Sequence, residues 1–90
     1  MSRRLLIHGR VQGVFFRDWT VETARSLGLD GWVRNRADGS VEALVSGEAQ
    51  VIARFVALCH EGPPAARVDR VEVEESGEAV APGFTRRATQ

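Results

Sequence analysis

The sequence predicts an α+β fold, a split β-α-β sandwich in which two helices cover one face of an antiparallel sheet of four to five strands. Two observations carry that prediction. Apolar residues switch between alternate spacing and helical spacing along the chain, in the order β-α-β-β-α-β. Glycines, prolines and an Asp-Gly pair punctuate the junctions between those stretches.

Each element follows from its residues. Leu5-Leu6-Ile7-His8 is short, apolar and β-capable, and Gly9 is expected to end it. A loop from Gly9 to Val14 leads into a helix whose apolar positions Phe16, Trp19, Thr20, Thr23, Ala24 and Leu27 recur at helical spacing, with Gly28 placed to stop it. Gly31–Arg36 is a second strand, and Asp38-Gly39 signals a hairpin into a third, Ser40–Ser46. Glu48–Glu61 is the second helix, striped by Val51, Ile52, Phe55, Leu58 and Cys59 and closed by Gly62-Pro63-Pro64. A charged strand, Arg67–Glu75, follows, and after a turn-rich stretch Phe84–Arg87 makes a short edge strand. This is the ferredoxin-like order, with strands arranged 4-1-3-2 and the last segment on an edge.

That topology makes a functional demand. Strands one and two run parallel, so their C-terminal ends share one edge of the sheet. The loop after strand one and Asn35 at the end of strand two are brought together there.

Length and composition bound the rest. Ninety residues make one domain, spanning 1–90, with one modest core. Twelve acidic residues balance twelve basic ones, which argues against a nucleic-acid binder that works by phosphate neutralisation. All the basic residues are arginine. The lone cysteine, Cys59, permits no internal disulfide and fits a reducing compartment. Leu5–Ile7 is too short for a signal-peptide core, and no stretch reaches the length of a membrane span. The expectation is a cytoplasmic monomer without a membrane partner.

The loop Gly9-Arg10-Val11-Gln12-Gly13 and the residues after it carry the chemistry. Two glycines let backbone N–H groups turn inward. The loop feeds a helix N-terminus, which favours an anion, and no Ser, Thr, Asp or Asn stands before that helix to cap it. Arg17 falls in the first turn, the unfavourable end for a cation, at a cost of about 0.3–1 kcal/mol. An anion held between loop and Arg17 resolves both oddities, and a guanidinium fork matches phosphate oxygens. Asp18 competes for the same dipole. The plain alternative is a turn followed by a solvated arginine.

Gly9-Arg10-Val11-Gln12-Gly13-Val14-Phe15-Phe16-Arg17 resembles the G-x-V-Q-G-V-x-F-R signature of the acylphosphatase family. Gly31-Trp32-Val33-Arg34-Asn35 with Asp38–Glu42 is similar to that family's second signature, and Gly62-Pro63-Pro64-Ala65 with Val68 to its third. The match runs in order along most of the chain. The resemblance implies that Arg17 is the phosphate-binding catalytic arginine, that Asn35 positions the attacking water, and that Gly9, Arg10, Val11, Gln12, Gly13, Val14, Phe15 and Phe16 form the phosphate cradle. It implies an acyl phosphate substrate, with inorganic phosphate or sulfate as occupants of the same loop. The family often ends in an aromatic-containing strand, whereas here Phe84 is followed by Arg86, Arg87 and a polar tail, leaving that strand's pairing open.

Other polar residues are read as structural. His8 sits at a strand end and His60 at a helix C-terminus, where a cation suits the dipole. No His, Cys, Asp or Glu cluster has metal-ligand spacing, and no cofactor motif is present, so neither metal nor cofactor is expected. Arginine and asparagine are poor acids and bases at neutral pH, which suits a substrate whose leaving group is a carboxylate. The competing readings are a non-catalytic phosphate-binding or regulatory module on the same fold, and an RNA-binding domain. Strand three lacks the exposed aromatics the latter needs.

Overall fold

The computed structural model describes residues 1–90. The order is β1 (Ser2–Arg10), α1 (Phe16–Ser26), β2 (Asp30–Asn35), β3 (Val41–Ser46), α2 (Ala49–Glu61), β4 (Arg67–Ser76) and β5 (Phe84–Arg86). The five strands form one sheet in the order β4-β1-β3-β2-β5. β1 pairs antiparallel with β3 and β4, and β2 antiparallel with β3. The expected order is therefore present, with one difference. β5 runs parallel to β2, matching Gly31 with Phe84 and Val33 with Arg86, so the sheet is mixed rather than antiparallel.

β1 is longer than its apolar run suggests. It continues through Gly9 and Arg10, which pair with Val68 and Arg67 beyond a register shift at His8 and Gly9. Gly9 therefore does not end the strand. Its φ of 130° and the approach of the Arg67 carbonyl, which would lie 2.1 Å from a Cβ, explain the glycine. The extra residue at this shift is Asp69 on β4, and β1 stays paired through Arg10 before the loop begins.

One face of the sheet and both helices enclose the core. Leu5, Ile7, Val33, Val41, Ala43 and Val45 come from the strands; Phe16 and Ala24 from α1; Ile52, Phe55 and Cys59 from α2. α1 ends in a Schellman arrangement, with Leu29 N–H donating to Ala24 O and Gly28 N–H to Arg25 O, both at 3.0 Å, around Gly28 at φ 70°. Burial pushes the Cys59 thiol up to about 12.

The opposite sheet face is not left bare. Trp32 is covered by two guanidiniums, those of Arg34 at 4.7 Å and Arg87 at 4.5 Å from its ring centroid. Next to it lies Glu42, only 1% exposed although alternation places it on the polar side of β3. Arg34 donates to it at 2.7 Å, and Arg4 and Arg36 approach at 3.5 and 3.8 Å. His8 and Glu72 meet at 2.5 Å on the same face, and that contact holds the Glu72 carboxyl below its ordinary range.

Candidate active site

The end of β1, paired with β4 through Arg10, delivers the chain into a loop that is pinned from one side. Gln12 Nε2 donates to the carbonyls of Arg36 and Ser40, each at 2.8 Å. One amide thus straps the loop to the β2–β3 hairpin. The hairpin is fixed in turn by Asp38, whose Oδ1 accepts from Ser40 Oγ at 2.6 Å and Ser40 N–H at 2.9 Å. Those bonds, the side-chain one foremost, hold the Asp38 carboxyl below its ordinary range. Val11 and Val14 send their side chains into the core.

The loop closes on Phe15, which caps α1 in a left-handed conformation at φ 64°, ψ 25° without a side-chain cap bond. A bulky residue held there costs about 1–3 kcal/mol, and its ring is 79% exposed, so the fold gains little packing in return. The reward is in the backbone. None of the N–H groups from Val11 to Asp18 donates to another protein group, so eight consecutive amides at a helix N-terminus keep their hydrogen-bonding capacity. Gly13, at φ 74°, faces open space where its Cβ would be, so this glycine serves conformation rather than clearance. At the other side, Gly62 (φ 64°) lets the end of α2 press on α1, since a Cβ there would meet Phe16 Cε2 at 2.7 Å.

A cleft of about 260 Å³ opens beside these amides, lined by Val11, Gly13, Phe15, Phe16, Arg17, Asp18, Asn35 and Arg86. Arg17 and Asn35, separated by a helix and a strand in sequence, thus share one cleft, as the topology demands. Arg17 Nη1 donates to the Arg87 carbonyl at 3.4 Å, which directs its guanidinium along the cleft wall. Asn35 stands on the core-side face of β2 just beyond Val33. Its Oδ1 is buried and accepts no hydrogen bond, the sole side-chain atom of the chain in that condition. A buried acceptor without a donor is costly, and such groups mark places where a ligand or solvent molecule is expected to donate.

Of the remaining cradle residues, Val11, Gly13, Phe15 and Phe16 line the cleft, whereas Gly9 and Arg10 stay in the β1–β4 ladder and Gln12 acts as the strap. Two cleft residues escaped the sequence reading as a pair. Arg86, on β5, donates to Asp18 Oδ1 at 2.7 Å. No local signal joins residues so far apart.

A helix end with open amides, a guanidinium and an orphaned acceptor in one small cleft defines a protein built to receive a compact anion together with a hydrogen-bond donor. The family model for acylphosphatase matches residues 3–85. An acylphosphatase of Rhizorhabdus wittichii is 55% identical over 89 residues, covering 99% of this chain and 90% of the relative. The crystal structure of the Bacillus subtilis acylphosphatase superposes with a TM-score of 0.90 at 36% identity, covering 96% of this chain and 97% of that one. The Coxiella burnetii acylphosphatase structure gives 0.91 at 37%, with 96% and 90% covered. The chain belongs to the acylphosphatase family. Its activity is the hydrolysis of the carboxyl–phosphate bond of acyl phosphates to a carboxylate and inorganic phosphate. The non-catalytic anion-binding reading is not favoured. No helix is long and apolar enough to cross a membrane.

Proposed function

We propose that the substrate's phosphoryl group sits on the loop amides with Arg17 forked on its oxygens, and that Asn35 aims the attacking water. The cradle runs from Gly9 to Phe16, with Gly9 and Arg10 anchoring its base. The observation that carries this reading is the buried, unpartnered Asn35 Oδ1 in the same cleft as Arg17. A water that donates one hydrogen to this oxygen turns a lone pair away from it and toward the phosphorus. Holding that water in line supplies the orientational part of the catalysis. The amides and the guanidinium stabilise charge on the equatorial oxygens of the transferring group.

The P–O bond to the acyl oxygen breaks as the water oxygen bonds to phosphorus. The acyl oxygen leaves as a carboxylate, which needs no proton at neutral pH. The proton lost by the water goes to a phosphate oxygen. No general acid, metal or phosphoenzyme is required by these steps.

One chain supplies the loop, Arg17 and Asn35 of the cleft, so a single domain over 1–90 acting as a monomer suffices for this reading. Its lone reduced cysteine supports a cytoplasmic setting. Inorganic phosphate and sulfate occupy the same cradle as competitive ligands. Hydrolysis of an acyl phosphate by the purified protein, with Arg17→Ala as control, tests the reading. Arg17→Ala is expected to lose both turnover and phosphate affinity. Unchanged phosphate affinity in that variant refutes the assignment of Arg17.

A further inference from the structure

The first turn of α1 meets two opposed electrostatic demands. Its open N–H groups and positive dipole end favour an anion in the cleft. The same dipole favours Asp18, the one acidic residue of that turn. A bare carboxylate on the cleft wall, however, repels the dianion the cleft receives.

Arg86 meets both demands. Its Nη1 donates to Asp18 Oδ1 at 2.7 Å, and both residues line the cleft. It arrives from β5, an edge strand of three residues whose parallel pairing with β2 aims position 86 at the start of α1. The adjoining Arg87 carbonyl receives Arg17 Nη1. β5 and the residue that follows it therefore touch both the acidic and the basic side chain of one helical turn.

We propose that Arg86 is a positioning residue for phosphate binding: its guanidinium covers the Asp18 carboxylate, so that the helix end keeps its stabilising acid and still admits a phosphoryl dianion. This rests on the cradle reading given above. The action runs through Asp18 rather than through direct contact with substrate. Both side chains are about half exposed (51% and 58%), so the effect is moderate and salt-dependent.

The test measures phosphate inhibition, KM and kcat for Arg86→Gln, Asp18→Asn and the double variant, at low and high ionic strength, after circular dichroism confirms folding. Arg86→Gln is expected to weaken phosphate binding and raise KM by about fivefold at low salt, with kcat within about twofold. The deficit should shrink toward about 0.5 M salt. The double variant should return to within about twofold of the parent, because the carboxylate that needed covering is gone. Arg86→Lys keeps the charge and should keep most of the affinity, which provides a second probe if the glutamine variant folds poorly. Phosphate affinity unchanged in Arg86→Gln overturns the proposal. So does a double variant as weak as Arg86→Gln, because Arg86 would then be a direct ligand. Arg17→Ala in the same assay separates the two levels. Retained phosphate affinity there sinks the cradle itself, whereas loss there with none in Arg86→Gln sinks the role of Arg86 alone.

Discussion

Replacing Asn35 by alanine should cost the enzyme its turnover while costing the fold little. The side chain makes no hydrogen bond to protein, and its Oδ1 is buried without a donor. Solvent or substrate in the cleft is the expected donor to that oxygen, so truncation relieves little desolvation in the free enzyme. It gives up some packing of a half-buried side chain, roughly 0.5–1 kcal/mol of apolar contact. The net change is a loss of at most about 1 kcal/mol, or a fall in Tm of up to about 8 °C for a domain of this size. Catalysis suffers far more. Loss of an aimed nucleophile should lower kcat by about 10²-fold or more. Affinity for phosphate should stay within about an order of magnitude if the anion's donors lie, as proposed, on the loop and on Arg17. Thermal denaturation, steady-state kinetics and phosphate inhibition check the three parts. A folded variant that turns over normally would refute the water-aiming role. Loss of phosphate binding together with activity would move Asn35 into the cradle. Destabilisation well beyond about 1 kcal/mol would show that Asn35 holds the fold as well as the water.

Three further outcomes are expected. Arg17→Lys keeps the charge but loses the planar fork, so kcat/KM should fall by at least about tenfold, and retention of most activity would show that charge alone suffices. Gly62→Ala places a Cβ against Phe16 and forces φ 64° on a residue with a side chain, so urea denaturation should show a loss of about 1–3 kcal/mol. The Cys59 thiol, raised to about 12 when folded, binds its proton more tightly in the native state than in the unfolded chain. Stability should thus be fully present below the unfolded thiol's pKa and decline as pH rises from there toward 12, and a thiol reagent at mildly alkaline pH should label the protein only after denaturation.

The elements legible in the sequence were those whose apolar period is local. Phe16, Thr20 and Ala24 on α1 and Ile52, Phe55 and Cys59 on α2 fall on the expected stripes and are buried. The meeting of Arg17 and Asn35 was also legible, because it follows from strand order alone. Boundaries set by pairing were not. The apolar run marks the first strand only over Leu5–His8, yet β1 lies between two neighbours and the ladders extend it to Ser2–Arg10. The pairing of β5 depends on Gly31, whose missing side chain allows the close approach of the Leu44 carbonyl and the Phe84 ring; a lone glycine at a strand start does not announce this. Asp18 and Arg86 meet across 68 positions, beyond any local signal. Glu42 was hidden differently. Alternation assigns it to solvent, and counting outward from a two-residue Asp38-Gly39 turn sets Asn35 opposite it; the loop instead takes three residues, Ala37 to Gly39, and that shift brings Arg34 there.

The buried Glu42 also governs which alignments of the central strand survive. It lies opposite Leu6 on one side and Arg34 on the other, within reach of guanidiniums from β1, β2 and the hairpin. Sliding β3 by one residue turns Glu42 into the face made by Leu5, Ile7 and Val33, where an unpaired carboxylate is unfavourable by several kcal/mol. Sliding it by two keeps the face but sets Ser40 or Leu44 where the arginines converge, and those cations then repel with nothing between them. The carboxylate accordingly works as a key for one alignment: the native hairpin seats it among its cations, and each neighbouring alignment strands a charge.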